Sequence, residues 1–568
     1  MNQYPSSADA PAPAATGVPQ NSQTPGVPGD PNGLDAPAPF GSQAAPAGYP
    51  ARPLKYTPVP REPIPAEQTD KIAALAILPL AWWFTRLCLV GWLGLGMTLF
   101  TAAFAALVLW YRKGAGLSIP KASLGWLAVM ALSALNFAVV DNGIIAWLNL
   151  LFLMLAAVYW VASLSGTRVE DRLGEYAAAD LMNHLWVIPF QNFGCLGAVL
   201  KKSAAGRAPA KTGSGKNAGI VLLSFLCSLP LLWYVCLQLA GVDSGFSDFI
   251  EGFSRITLPR DFPVGTALLT VPVALYLYGL LYGSQHRRYT GSVTKEKLDE
   301  AAGKRHILPT AAAYTLLTLL CLVYALFFVT GAAGMLSFAR AAHSPQEYAD
   351  FARRGFFELC RVSVVNLMVI FGVSLFVKSS DRRSSAPSRV YHSILCCQTL
   401  LLIVLALCKM GLYIRFCGVT WLRVCTSWFM VLLAAVFGLI LLSQFREIPL
   451  ARWTVIVFCA LFLVLCWMDV DRLVVKNAVW RYEAMGDITA ISYADLADSA
   501  VAGARELYGL YQRESVKEDS PVLPELEQLL EKVGHQWYWS DPAAKGFWHW
   551  NRQRAAAWLR GTEFLPRL

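Results

Sequence analysis

The sequence predicts an all-α, polytopic integral membrane helix bundle of about eleven spans, with a small helical C-terminal domain and a disordered N-terminal tail. Three observations predict it. Hydrophobic residues make up 55% of the 568 residues and charged residues only 15%, well under the roughly 25% of a soluble domain. Apolar runs near the ~20 residues that cross a hydrocarbon core recur through the middle of the sequence. Basic residues gather in alternate loops between those runs, the pattern that membrane topology imposes.

Residues 1–70 hold about half of the 32 prolines, interspersed with Ala, Gly, Ser and Gln. Such a stretch buries too little apolar surface to offset its conformational entropy and reads as disordered. No basic stretch leads straight into an apolar core after Met1, so no signal peptide is predicted. A proline-binding partner is an alternative to a passive tail.

Residues 71–470 form the predicted bundle. The apolar runs are 73–90, 92–111, 121–140, 144–164, 218–240, 264–283, 307–330, 357–378, 392–413, 421–443 and 452–469. The first two, joined by Gly91–Gly94, could instead form a tight hairpin. Residues 170–200 alternate charge and apolarity at helical spacing, as for an interfacial helix or one packed under the bundle. Residues 202–217 read as a basic linker. Its Thr212–Lys216 lacks the spacing and preceding strand of a phosphate loop; attraction to anionic lipid headgroups explains its lysines.

Residues 471–568 become soluble again. Three helices are predicted: Asp471–Glu483, one from a capping-box variant at Ser492–Asp495 to about Gln512, and Pro521–Val533. The end carries Trp537, Trp539, Trp548, Trp550 and Trp558, a packed or interfacial aromatic set, with a carbohydrate-facing platform as the alternative.

Lysines and arginines at 112–121, 168–216, 287–305, 378–389 and 446–452 alternate with basic-poor loops around Asp141 and Asp243–Pro263. The positive-inside rule then puts the N-terminus in the cytoplasm, and eleven spans put the C-terminus outside the cell membrane. The net charge of +10 belongs to these loops, so no nucleic-acid partner is expected; membrane lipids are.

The motifs of common soluble catalytic sites are missing: no HExxH, GxSxG or P-loop occurs. Most of the 13 cysteines lie inside apolar runs and none has CxxC spacing; the seven histidines are scattered. No catalytic residues, metal or cofactor are therefore assigned.

What stands out is a belt of ionisable groups at one predicted membrane face. Glu358 and Arg361 share a helix face in the charged stretch Tyr348–Asn366. Lys409 and Arg415 end the ninth predicted span, Arg423 opens the tenth, and Asp469 and Asp471 leave the eleventh. Charges near helix ends can snorkel to water; read instead as a pocket, the excess of Arg and Lys favours an anion such as a lipid headgroup or envelope component. Arg86, Asn366 and Gln398 lie deeper, with interhelical hydrogen bonding as the default role of the amides.

Met410–Arg423 resembles the Leu-Tyr-Ile-x-x-x-Gly-x-Thr-x-x-Arg signature of uncharacterised bacterial polytopic membrane proteins, the domain of unknown function 4173 group and its 4153 relatives. Tyr348–Asn366, Met468–Tyr482 and Trp548–Asn551 are also similar to that group, although Asn477-Ala478 stands where its members carry Tyr-Asn. The resemblance covers roughly 70–568. It implies a many-helix membrane protein with a soluble C-terminal part, and no activity. The leading expectation is a non-enzymatic protein of envelope sensing, regulation or assembly. A transporter or lipid flippase using the outer cluster is second, and a membrane glycosyltransferase or ligase third.

Overall fold

The computed structural model describes residues 64–204, 263–303, 309–340, 355–377, 386–538 and 550–564, apart from single positions at 91, 92, 141, 171, 518, 561 and 563, and also describes Glu347. The described residues belong to one compact unit, Pro63–Leu568. Residues 1–63 of the predicted tail, the run 218–240, the basic linker beyond Ala204, Tyr348–Arg354 and the side chains of Trp537, Trp539 and Trp548 lie outside the described residues. The tail's last residues are ordered, with Gln68–Asp70 already in the first helix and Asp70 buried by its bonds to Tyr111 and His286.

Among the described residues there are helices and no strands, and nine helices are long and apolar enough to cross a membrane. The bundle is α1 (Gln68–Val90), α2 (Leu95–Gly114), α3 (Lys121–Val139) and α4 (Gly143–Ser165), then four short elements, then α8 (Pro263–Gln285). It continues with α9 (Lys295–Gly303), α10 (Thr310–Arg340), α11 (Phe356–Phe376), α12 (Ala386–Cys417), α13 (Trp421–Phe445) and α14 (Leu450–Trp467). The nine coincide with nine of the eleven predicted runs; the run 264–283 is the helix α8. The first two runs are two helices of 23 and 20 residues that pack against each other.

Helix ends follow local chemistry. Asn142 caps α4, its Oδ1 accepting from Ile145 N at 2.9 Å, and Gly166 (φ 65°) closes it in the left-handed region. The span α14 ends where Asp469 (φ 41°) turns the backbone into α15 (Val470–Met485). Beyond it lie α16 (Tyr493–Leu496), α17 (Ala504–Glu514), α18 (Leu523–Tyr538) and α19 (Trp550–Leu559). The predicted single helix from Ser492 to Gln512 is thus broken. The Ser492 hydroxyl makes no cap; Tyr493 N is instead accepted by Glu525 Oε2 at 2.6 Å, so a tertiary contact replaces the local one.

The stretch predicted as one amphipathic helix over 170–200 is segmented: α5 (Ala177–Met182), a π-helix (Asn183–Val187), α6 (Ile188–Gln191) and α7 (Phe193–Ala204). Its α6 and α7 pack against α8. A Cβ on Gly279 of α8 would lie 2.5 Å from Pro189 O, and one on Gly283 would meet Asn192 and Ile188. The missing side chains are what let α6 approach so closely.

Interhelical hydrogen bonds replace the water that hydrocarbon lacks. At one end, Tyr111 and His286 both bond Asp70 Oδ1, His286 at 2.9 Å. Midway, Tyr324 Oη donates to Asn366 Oδ1 (2.6 Å), Asn366 Nδ2 donates to Thr399 Oγ1 (2.9 Å), and Gln398 Nε2 to Cys321 O (3.1 Å). At the other end, Ser133, Asn136 and Asn149 form a buried polar run closed by Asn136 Nδ2 on Cys466 O at 2.8 Å. A single buried apolar cluster joins bundle to C-terminal helices, from Phe152 and Phe462 through Val475 and Leu507 to Leu530 and Leu559.

Candidate functional site

The C-terminal helices sit on the bundle around one buried carboxylate. Asp471, in the first turn of α15, is 4% exposed. Its Oδ1 accepts from Trp421 Nε1 and from Ser499 Oγ, each at 2.9 Å, and its Oδ2 accepts from Asn142 Nδ2. Three separate stretches are thereby tied to α15: the α3–α4 turn, the start of α13 and the α16–α17 connection. A carboxylate with three donors fixes the geometry around it.

Beside this hub lies a polar cleft of about 700 Å³. One wall is the turn from α12 to α13, Cys417–Arg423; another is Asp471, Asn477 and Arg481 of α15; the roof is Thr489–Ala502 with Arg552. The turn needs Gly418. Its φ is +81°, and a Cβ would lie 2.5 Å from Arg481 Nη1. Arg423 Nη1 donates to Cys417 O (2.8 Å) and Gly418 O (2.6 Å), while its guanidinium lies 4.1 Å above the Tyr413 ring. Arg481 Nη2 donates to Phe416 O at 3.1 Å and to Asp487. Asn477 Oδ1 accepts from Val419 N at 3.0 Å.

The predicted belt is distributed over separate places. Arg423 and Asp471 line the cleft together. Asp469 lines a much smaller cavity, about 20 Å³, with Arg472 and Glu506. Glu358 and Arg361 form the expected pair at 3.1 Å, with side chains 60% and 74% exposed. Lys409 Nζ stands by Gly355 at the start of α11, and Arg415 is exposed. The sequence reading passed over Asn142, Arg481 and Ser499; Gly418 and Arg423 lay in the quoted signature, and the contact between its glycine and Arg481 had no local trace. Among the described residues no group of three or more His, Cys, Asp or Glu could hold a metal ion.

A second buried set lies outside the spans. Asp180 (3% exposed) accepts from Val169 N at 2.7 Å, and burial pushes its carboxyl up to about 6. His184 is fully buried, bonded to Thr167 Oγ1 (2.7 Å) and Asp180 O (2.8 Å); burial pulls its imidazole down to about 4.

These features define a multi-pass membrane helix bundle with a helical cap and a polar cleft between them. The protein belongs to the family described as Domain of unknown function (DUF4153), which matches residues 127–507. That range contains the α12–α13 turn, Asp471, Arg481 and Ser499. No curated protein and no solved structure matches it.

Proposed function

We propose that this is a non-enzymatic receptor of the bacterial cell membrane, acting in envelope sensing, regulation or assembly through the cleft beneath its C-terminal helices. The observation that carries the reading is the composition of that cleft: spanning helices and cap helices each supply part of its wall. A ligand touching both biases how the cap sits on the bundle, which is what a sensor requires. The alternate basic loops support a cytoplasmic N-terminus and an extracytoplasmic cleft. Exposed apolar side chains on the spans, such as Leu326, Met368 and Phe371, fit membrane lipids as neighbours. The kinship with the 4173 group and a partner for the proline-rich tail belong to the same proposal.

A transporter or flippase is the second reading. An open groove of about 650 Å³ between α1, α2, α4 and α8 is lined by side chains such as Phe84, Phe100, Leu153, Trp186 and Leu280. An apolar lining favours binding over passage of a polar solute. A glycosyltransferase or ligase ranks third, because the buried carboxylate Asp471 is already engaged by three donors and is poorly placed as a base.

The test uses Thr489→Cys at the cleft mouth and a membrane-impermeant maleimide, read above the background of the parent protein. Labelling of intact cells, with protection in native membranes that detergent washing removes, is the expected result. Equal labelling before and after washing would overturn the binding reading, and labelling only after permeabilisation would overturn the orientation.

A further inference from the structure

We propose that the cleft holds a phosphate group, as a headgroup ester or the free anion, between Arg423 and Arg481. This rests on the cleft being a binding site and names its ligand chemistry. Two guanidinium groups converge on the Phe416–Gly418 turn. Arg423 is held by stacking on Tyr413 and by two carbonyls that engage Nη1 alone. Its Nε and Nη2 therefore have no acceptor among the described residues, and no described carboxylate pairs with it. Arg481 engages only Nη2, and its Nε is shielded from water without a partner.

The backbone adds to this. The 25-residue helix α13 starts in the cleft wall, and its N-cap Thr420 supplies no hydrogen bond from its hydroxyl. Its first amides and positive dipole end are thus left to other acceptors. Three of the four nearby acids are engaged elsewhere. Asp471 is spent on three donors, Asp487 balances Arg481, and Asp498 pairs with Lys532 at 3.3 Å. Asp495, exposed to water, is the remaining acid of the lining, and Arg423 pairs with no described carboxylate. A planar carboxylate could be served by Arg423 alone; donors from two guanidinium groups match the several oxygens of a tetrahedral phosphate.

The experiment is thermal unfolding of the full-length protein in nanodiscs of neutral lipid, titrated with inorganic phosphate, glycerol phosphate or glycerol. The expected result is saturable stabilisation by a phosphate compound and none by glycerol. Arg423→Lys, which keeps the charge and loses the fork, should weaken the apparent affinity by about tenfold, read as the ligand-induced shift from the variant's own ligand-free midpoint. Arg415→Ala, outside the cleft, should bind as the parent does. Preference for glycerol phosphate, or stabilisation by phosphatidylglycerol in the disc, assigns a headgroup ester; equal response to inorganic phosphate assigns the free anion. No saturable response of the parent protein to any of them, or an unaltered response in both Arg423→Lys and Arg423→Gln, overturns the proposal. Cysteine protection in native membranes with no phosphate response would leave the cleft a binding site for another chemistry; absence of protection would remove both.

Discussion

Trp421 and Asp471 meet where bundle and cap join: the indole Nε1 donates to Oδ1 at 2.9 Å. Trp421 opens the spanning helix α13, and Asp471 opens the first helix beyond the last span. The bond sets the distance between two walls of the cleft. Because Ser499 shares the same oxygen, the roof is positioned by the same carboxylate.

Asp471→Ala should lower stability by about 3 kcal/mol, because it strands buried donors on Asn142, Trp421 and Ser499. Asp471→Asn keeps one acceptor oxygen and should lose roughly half as much. Thermal unfolding in detergent, followed by tryptophan fluorescence, reads both.

Gly418→Ala should be destabilising by about 1–3 kcal/mol, since φ is +81° and the new methyl meets Arg481. Displacing Arg481 should also loosen the cap. Limited proteolysis should then cleave the segment beyond α15 faster than in the parent protein.

The buried pair Asp180 and His184 makes opposite pH demands. The carboxyl, raised from 3.8 to about 6, contributes stability that is full below pH 3.8 and lost as pH rises through 6. The imidazole, lowered from 6.5 to about 4, contributes stability that is full above pH 6.5 and lost as pH falls through 4. Between about pH 4 and 6 the two slopes oppose each other. Asp180→Asn should leave a protein that loses stability on acidification across this window, and His184→Gln one that gains it. Unfolding midpoints measured at half-unit pH steps will show whether the slopes have these signs.

Asn366→Leu should lower stability by about 1 kcal/mol, in the range of hydrogen bonds between spanning helices. It leaves Tyr324 Oη without its 2.6 Å acceptor and Thr399 without its donor. The double variant with Tyr324→Phe should lose less than the sum of the singles, because the stranded hydroxyl is gone. Equilibrium unfolding of the four proteins completes the cycle.

Much of the fold was legible in the sequence because spanning a bilayer is decided by local composition. A run such as 421–443 is apolar over its whole length, and hydrocarbon permits little but helix for it. Nine predicted runs coincide with such helices for that reason. The segmented 177–204 stretch was less legible: its helical spacing is real, but a π-helix and the close approach to Gly279 and Gly283 depend on α8, about 90 residues away (Tyr276 bonds Leu185 across a separation of 91).

By itself, then, the sequence determined the class of protein, the helical spans and the pairing of Glu358 with Arg361 three residues on, since each follows from neighbours in the sequence. Only the tertiary structure decided the site. It drew Arg423 and Asp471 into one cleft and set Glu358, Arg361 and Arg415 on exposed surface. It also brought in Asn142, 329 residues from the aspartate it bonds. The physical reason is range: hydropathy is a property of a local stretch, while a buried carboxylate takes whichever donors the packed helices bring within about 3 Å.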